Sequence, residues 1–213
     1  MSPAGSIGFR PRRVSSRAAG LAVLSLGATA SASQWQAGGL VGAGWFTAPS
    51  SYSKVEALRP TLVVSADGWF DRGPISVGLL GTVDLSWREG NNYFGALEEE
   101  SLVLASGVVA VGTTIPLSSV PAKVRLFLGA GAVRSWNELE RGGSLFKQES
   151  WGPEFRLGGI WEREIGPHGR IRAGLSGVNS WTMESRIQGS DLRSESNWSR
   201  VEFCLGWSWS DRR

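Results

Sequence analysis

Ile75-Ser76-Val77-Gly78-Leu79-Leu80-Gly81-Thr82-Val83-Asp84-Leu85-Ser86-Trp87-Arg88 is the stretch whose reading decides the fold. Its odd positions are Ile75, Val77, Leu79, Gly81, Val83, Leu85 and Trp87, and its even positions are Ser76, Gly78, Leu80, Thr82, Asp84, Ser86 and Arg88. Successive side chains of a strand point to opposite faces, so this run has one apolar face and one mostly small or polar face. An amphipathic helix needs apolar residues three and four apart, and the run does not supply them.

The same alternation recurs along the chain. In 151–165, Trp151, Phe155, Leu157 and Trp161 share one face, and Glu154, Arg156, Glu162 and Glu164 share the other. The run after 122 sets Val124, Leu126, Leu128 and Trp136 against Lys123 and Arg125. The run after 169 sets Ile171, Ala173, Leu175 and Trp181 against Arg170 and Arg172, and the last sets Val201, Phe203, Leu205, Trp207 and Trp209 against Arg200 and Glu202. Weaker runs occupy 34–46, 60–70 and 102–115, where a slip of one residue would exchange the two faces. Counted together, these runs number eight, an even number as a closed single-chain bacterial barrel requires. The expected fold is all-β, an eight-stranded antiparallel transmembrane β-barrel with up-and-down meander topology, apolar outside and polar inside.

The connections alternate in length. Asp71-Arg72-Gly73-Pro74 and Gly166-Pro167-His168-Gly169 carry turn residues, and 116–121 makes a slightly longer turn. Between them lie longer polar segments at 47–59, 88–101, 137–150 and 184–197. In bacterial barrels short turns face the periplasm and long loops face outward, so both termini are expected in the periplasm. The tryptophans sort to the run ends. Trp45, Trp87, Trp136, Trp151, Trp181 and Trp198 lie next to the long loops; Trp35, Trp69, Trp161, Trp207 and Trp209 lie at the opposite ends. Indole favours a membrane interface because its ring is apolar and its N–H seeks a partner, so these residues are expected to form two aromatic belts.

Composition bounds the rest. The chain has 213 residues, a formal net charge of +3, 41% hydrophobic residues, 29 Gly and 11 Trp against two Tyr. No run of about 18 apolar residues exists, which excludes a helical membrane protein. Residues 1–33 read as a cleaved export signal: Arg10, Arg12, Arg13 and Arg17, then a short apolar stretch at 18–30, then Ala30-Ser31-Ala32-Ser33 before Gln34. The mature barrel domain is then expected over 34–213. Cys204 is the single cysteine, which reads as a small packing residue within a strand.

The export signal, the eight runs, the short turns and the long loops resemble the small outer-membrane barrels of the OmpA and OmpX type. The resemblance implies residence in the outer membrane of a diderm bacterium, among outer-membrane lipids and lipopolysaccharide. Val201-Glu202-Phe203-Cys204-Leu205-Gly206-Trp207-Ser208-Trp209 is similar to the terminal strand read by the barrel assembly machinery, although Ser210-Asp211-Arg212-Arg213 follow it where such signals end on an aromatic residue. No periplasmic domain of the longer OmpA-like proteins is expected to follow.

The inward positions place Asp84, Lys123, Arg125, Glu154, Arg156, Glu162, Glu164, Arg170, Arg172, Arg200 and Glu202 in the lumen. An eight-stranded barrel is just wide enough for side chains to fill it, so these charges are expected to pair into a plug, with a narrow ion path as the alternative. Some outer-membrane barrels modify lipids with a His acting on a Ser, but His168, the one histidine, lies in a turn. No cofactor, metal or nucleic-acid motif is present, and the chain is expected not to be an enzyme. The expected role is structural or surface-interactive, with the long loops as the contact surface for an extracellular partner.

Overall fold

The computed structural model describes residues 34–47, 59–91, 97–141, 143–166, 168–182, 184–187 and 196–210. The export-signal reading of 1–33 and most of the connections at 47–59 and 184–197 lie outside these residues. The elements are β1(Gln34–Thr47), β2(Arg59–Arg72), β3(Ile75–Asn91), β4(Leu97–Leu117), β5(Ala122–Arg141), β6(Ser144–Glu164), β7(Gly169–Thr182), β8(Glu184–Ile187) and β9(Ser196–Ser210). Each of the first six strands pairs antiparallel with the next, β7 pairs with β9, and β9 returns to pair with β1. Eight antiparallel strands thus close a ring. The four-residue β8 stands outside the ring count because it pairs with β6 alone among the described residues. It prolongs β7 after a bulge. From the pair Glu154↔Ser180 to the pair Trp151↔Glu184, β6 advances three residues and the opposing chain four.

The turns follow local chemistry. Arg72 pairs with Ile75 across Gly73-Pro74, and Gly73 has φ 61°, a value that L residues with a side chain rarely adopt. Arg141 pairs with Ser144, and Gly143 at φ 80° occupies that reversal. At the end that holds 73–74, 118–121 and 165–168 lie also the start of β1 and the end of β9.

Parity decides the faces. Outward residues such as Leu128 and Leu157 are 66% and 69% exposed, and inward ones such as Trp69, Arg125 and Glu154 are fully buried. The outward set is apolar and ringed by tryptophan. Trp35 and Trp45 on β1, and Trp161 and Trp151 on β6, stand ten positions apart on the same outward face. At roughly 3.3 Å per residue this is about 33 Å along the strand. A tilt of about 40° reduces it to roughly 25 Å, the height of the apolar band of an outer-membrane barrel. Trp87, Trp136, Trp181, Trp207 and Trp209 are also outward and exposed.

Two belt assignments are corrected. Trp69 is completely buried inside the ring, and Trp198 is buried with Leu102, Leu104 and Val133. Position along a strand sets height, but parity sets face. Trp69 alternates with the outward Leu62 and Val64, and Trp198 shares parity with the inward Arg200 and Glu202.

The loop boundaries are also corrected. The segment 137–150 is a hairpin whose ladder runs unbroken from Asn137↔Gln148 to Arg141↔Ser144. Within 88–101, Arg88↔Glu100 through Asn91↔Leu97 are likewise paired. Beyond the lipid neither face of a sheet need be apolar, so the alternation fades in the sequence while the ladder continues. In consequence β3 to β6 have 17, 21, 20 and 21 residues, whereas β1, β2, β7 and β9 have 14, 14, 14 and 15. The wall rises on one side past the belt of Trp87, Trp136 and Trp151.

Candidate functional site: the charged lumen

The inward side chains fall into two groups stacked along the barrel axis. The group near the short turns is built on β1, β2, β5, β6 and β7. Arg172 donates from Nη1 and Nη2 to Oδ1 and Oδ2 of Asp67, both at 2.6 Å, and its Nε lies 3.3 Å from Glu162 Oε1. Arg125 reaches Glu162 Oε1 at 3.2 Å through Nη1, and Asp71 at 2.8 and 2.9 Å and Gln36 Oε1 at 3.3 Å through Nη2. Lys123 Nζ bridges Asp71 at 3.3 Å and Glu162 at 3.2 Å. Arg170 Nη1 donates to Gln36 Oε1 at 3.1 Å, and its Nη2 lies 3.5 Å from Glu164. Gln36 Nε2 in turn donates to Glu162 Oε1 at 2.7 Å and Ser208 Oγ at 2.8 Å.

The second group lies farther from the short turns. Arg200 donates to Asp84 Oδ2 and to Glu154 Oε2, each at 2.5 Å. Arg156 donates from Nη1 to Glu202 Oε2 at 2.7 Å and from Nη2 to Glu154 Oε1 at 3.2 Å. Ser176 and Ser180 donate to Glu202 and Glu154 at 3.1 and 3.3 Å. Forked guanidinium–carboxylate contacts of this kind are the strong ones, and buried charges are tolerated only when paired this way. Each arginine spans at least two strands, so the network ties opposite walls together.

Nine of the eleven lumen residues read from the sequence are buried; Lys123 is partly exposed, and Glu164 stands at the rim, its side chain 39% exposed. The sequence reading did not single out Gln36, Asp67, Asp71 or the inward role of Trp69. The signal was available: once Leu62, Val64 and Phe70 are outward, positions 67, 69 and 71 must be inward. Also missed was an apolar layer between the two charge groups. Trp69, Leu80, Val108, Ala110, Phe127 and Ile160 pack together on one side of it, and Leu40, Val63 and Cys204 on the other. On β4 the inner face carries Leu102, Leu104 and Val108 besides the small Ala110.

His168 lies outside the lumen. Its ring stacks on Trp209 at 5.5 Å and 8°, and its Nδ1 lies 3.4 Å from the Ser210 carbonyl oxygen. Among the described residues no cluster of His, Cys, Asp and Glu suits a metal ion.

No protein-family model matches the chain, and no curated protein matches it in sequence. Solved structures do match it in fold. The chain is similar to Ail, the attachment invasion locus protein of Yersinia pestis, with a TM-score of 0.51 and 11% identity, covering 83% of this chain and 98% of Ail. Ail in complex with the heparin analogue sucrose octasulfate gives a TM-score of 0.50 and 11% identity, covering 83% and 99%. The outer membrane protease OmpT from Escherichia coli gives a TM-score of 0.51 at 7% identity, covering 84% and 97%. The fold is that of the small outer-membrane β-barrels of the OmpA and OmpX type. An attachment protein and a protease share this likeness, so fold does not decide activity.

Proposed function

We propose that this chain is an integral outer-membrane protein whose barrel is a closed scaffold, and whose wall and connections beyond the outer Trp belt make its functional contacts. The observation that carries the reading is the lumen: six cations, Lys123, Arg125, Arg156, Arg170, Arg172 and Arg200, each hydrogen-bonded or ion-paired to a carboxylate on another strand. A filled interior leaves the exterior as the working surface. In this reading residues 1–33 are removed on export, the barrel assembly machinery engages 201–209, and the short turns and both chain termini face the periplasm. Outer-membrane lipids and lipopolysaccharide surround the apolar band. The contact surface is drawn from 47–59, 88–101, 137–150 and 184–197; within these, 88–91, 97–101, 137–141 and 144–150 are paired strand. No reaction is assigned to the chain.

The heparin analogue seen on Ail does not transfer readily. On the raised wall here Glu99 and Glu140 are register partners, while Glu138 and Glu149 are ion-paired to Lys147 and Arg134. Like charges side by side on a sheet repel a polyanion and suit a partner of opposite charge.

Planar-bilayer conductance tests the closed scaffold. The refolded protein is first verified as a folded barrel by a heat-shift on a denaturing gel. Electrical silence is the expected result; discrete, reproducible steps from the wild type would replace the scaffold with a pore.

A further inference from the structure

We infer that the lumen is sealed by an apolar septum packed on Phe127 and Ile160, with Trp69 closing it on the side of the short turns, and that this septum, not the ion pairs on either side of it, is the barrier to ions. The inference rests on the closed-lumen reading above and identifies what does the closing.

Trp69 is the largest fully buried side chain among the described residues. Four neighbours fix it. Its Nε1 donates to Asp67 Oδ2 at 2.9 Å, the Arg125 guanidinium lies 4.6 Å from its ring centre, and the Phe127 ring tilts against it at 5.6 Å. The fourth is a missing side chain: a Cβ on Gly78 would stand 2.5 Å from the indole. Likewise a Cβ on Gly158 would stand 2.7 Å from the Phe127 ring. Two strands have given up side chains where these rings lie, so the rings fill the bore and have little room to withdraw.

The space left beside them is small. A void of about 30 Å³ lies between the charge groups, touched by Leu40, Leu80, Phe127, Ile160 and Cys204 and by Asp67, Arg156 and Glu202. It has room for about two water molecules and none for an ion with its hydration shell. An ion entering an apolar layer loses hydration without replacement, which is costly, and such constrictions close pores by excluding water. Ion pairs make a weaker seal. Arg125 already divides itself among Glu162, Asp71 and Gln36, so a passing ion could be accommodated by exchange of partners.

The chain's single thiol sits in the septum: Cys204 is buried against Leu40 and Val63. It is therefore a built-in reporter. The experiment combines bilayer conductance with labelling of Cys204 by a charged methanethiosulfonate reagent on heat-shift-verified barrels. Two sets of variants are compared. One removes charge but leaves the septum: Glu154→Gln/Arg200→Gln, alone and with Lys123→Gln/Glu162→Gln. The other thins the septum: Phe127→Ala, and Trp69→Ala/Phe127→Ala. The wild type and the neutralised variants are expected to stay silent and unlabelled, and the thinned variants to gain both conductance steps and labelling. Conduction or labelling in a neutralised variant of a silent wild type overturns the septum while leaving the closed lumen intact. So does a thinned barrel that folds and stays silent and unlabelled. Conduction by the wild type overturns the closed-lumen reading itself. Should the double Trp69/Phe127 variant fail to fold, Phe127→Ala and the neutralised pair still decide the matter.

Discussion

Arg172 shows how far a single side chain is committed in this lumen. Both of its terminal nitrogens are on Asp67, its Nε faces Glu162, and the backbone opposite has yielded to it: a Cβ on Gly38 would stand 2.0 Å from Nη1. Removing one partner of such a buried pair strands the other charge. Arg172→Met is therefore expected to lower unfolding stability by about 3–5 kcal/mol, read by urea titration of the refolded barrel. Asp67→Asn on top of it should recover part of that loss. An unshifted midpoint for the single variant would show that the network is not structural. Gly38→Ala should cost about 1–3 kcal/mol by overpacking, in the same titration. At this scale the sequence was informative only where its pattern was strong. Arg170, Arg172, Glu154 and Arg156 were legible because their strands alternate without interruption. Asp67 and Asp71 were not, because Ala66 and Gly68 dilute the outward face of β2 and leave its parity faint.

At the scale of elements, the β5–β6 hairpin behaves differently in its two halves. Below Trp136 and Trp151 each residue either meets the apolar band or fills the lumen. Above them both faces are largely exposed, with Leu145 and Phe146 near the tip and the ion pair Lys147–Glu138 on the outside, while Arg134–Glu149 lies level with the two tryptophans. Exposed pairs of this kind contribute little. Replacing 139–146 with an Asn-Gly turn is therefore expected to leave the heat-shift and the urea midpoint nearly unchanged, while removing whatever contact this wall makes. A chain that no longer folds would show that the raised strands belong to the scaffold. These same residues explain why the sequence misled at the strand ends. Alternation reports a difference between two environments, and water on both sides leaves nothing to report. The extra residue between Ser180 and Glu184 escaped notice for a related reason, since one inserted residue changes pairing without changing composition.

For the whole molecule, the division between an outside that faces hydrocarbon and an inside that does not should be visible in fluorescence. Variants retaining a single tryptophan at 207 or 161 are expected to be quenched by brominated acyl chains, and one retaining only Trp69 is expected to be spared. Equal quenching at all three would place Trp69 on the outside and remove the septum with it. The closed ring has another consequence, which concerns how the molecule comes into being. Its last seam joins β1 to β9, and the hydrogen bond from Gln36 to Ser208 across that seam links residues 172 positions apart. Such contacts carry the largest loop-closure cost and form late, which makes folding slow. Until they form, the sheet has two bare edges, each a template for pairing with another chain. The seam is therefore the clock of biogenesis: whatever shields β1 and delivers β9 to it governs whether the nascent chain closes on itself or aggregates.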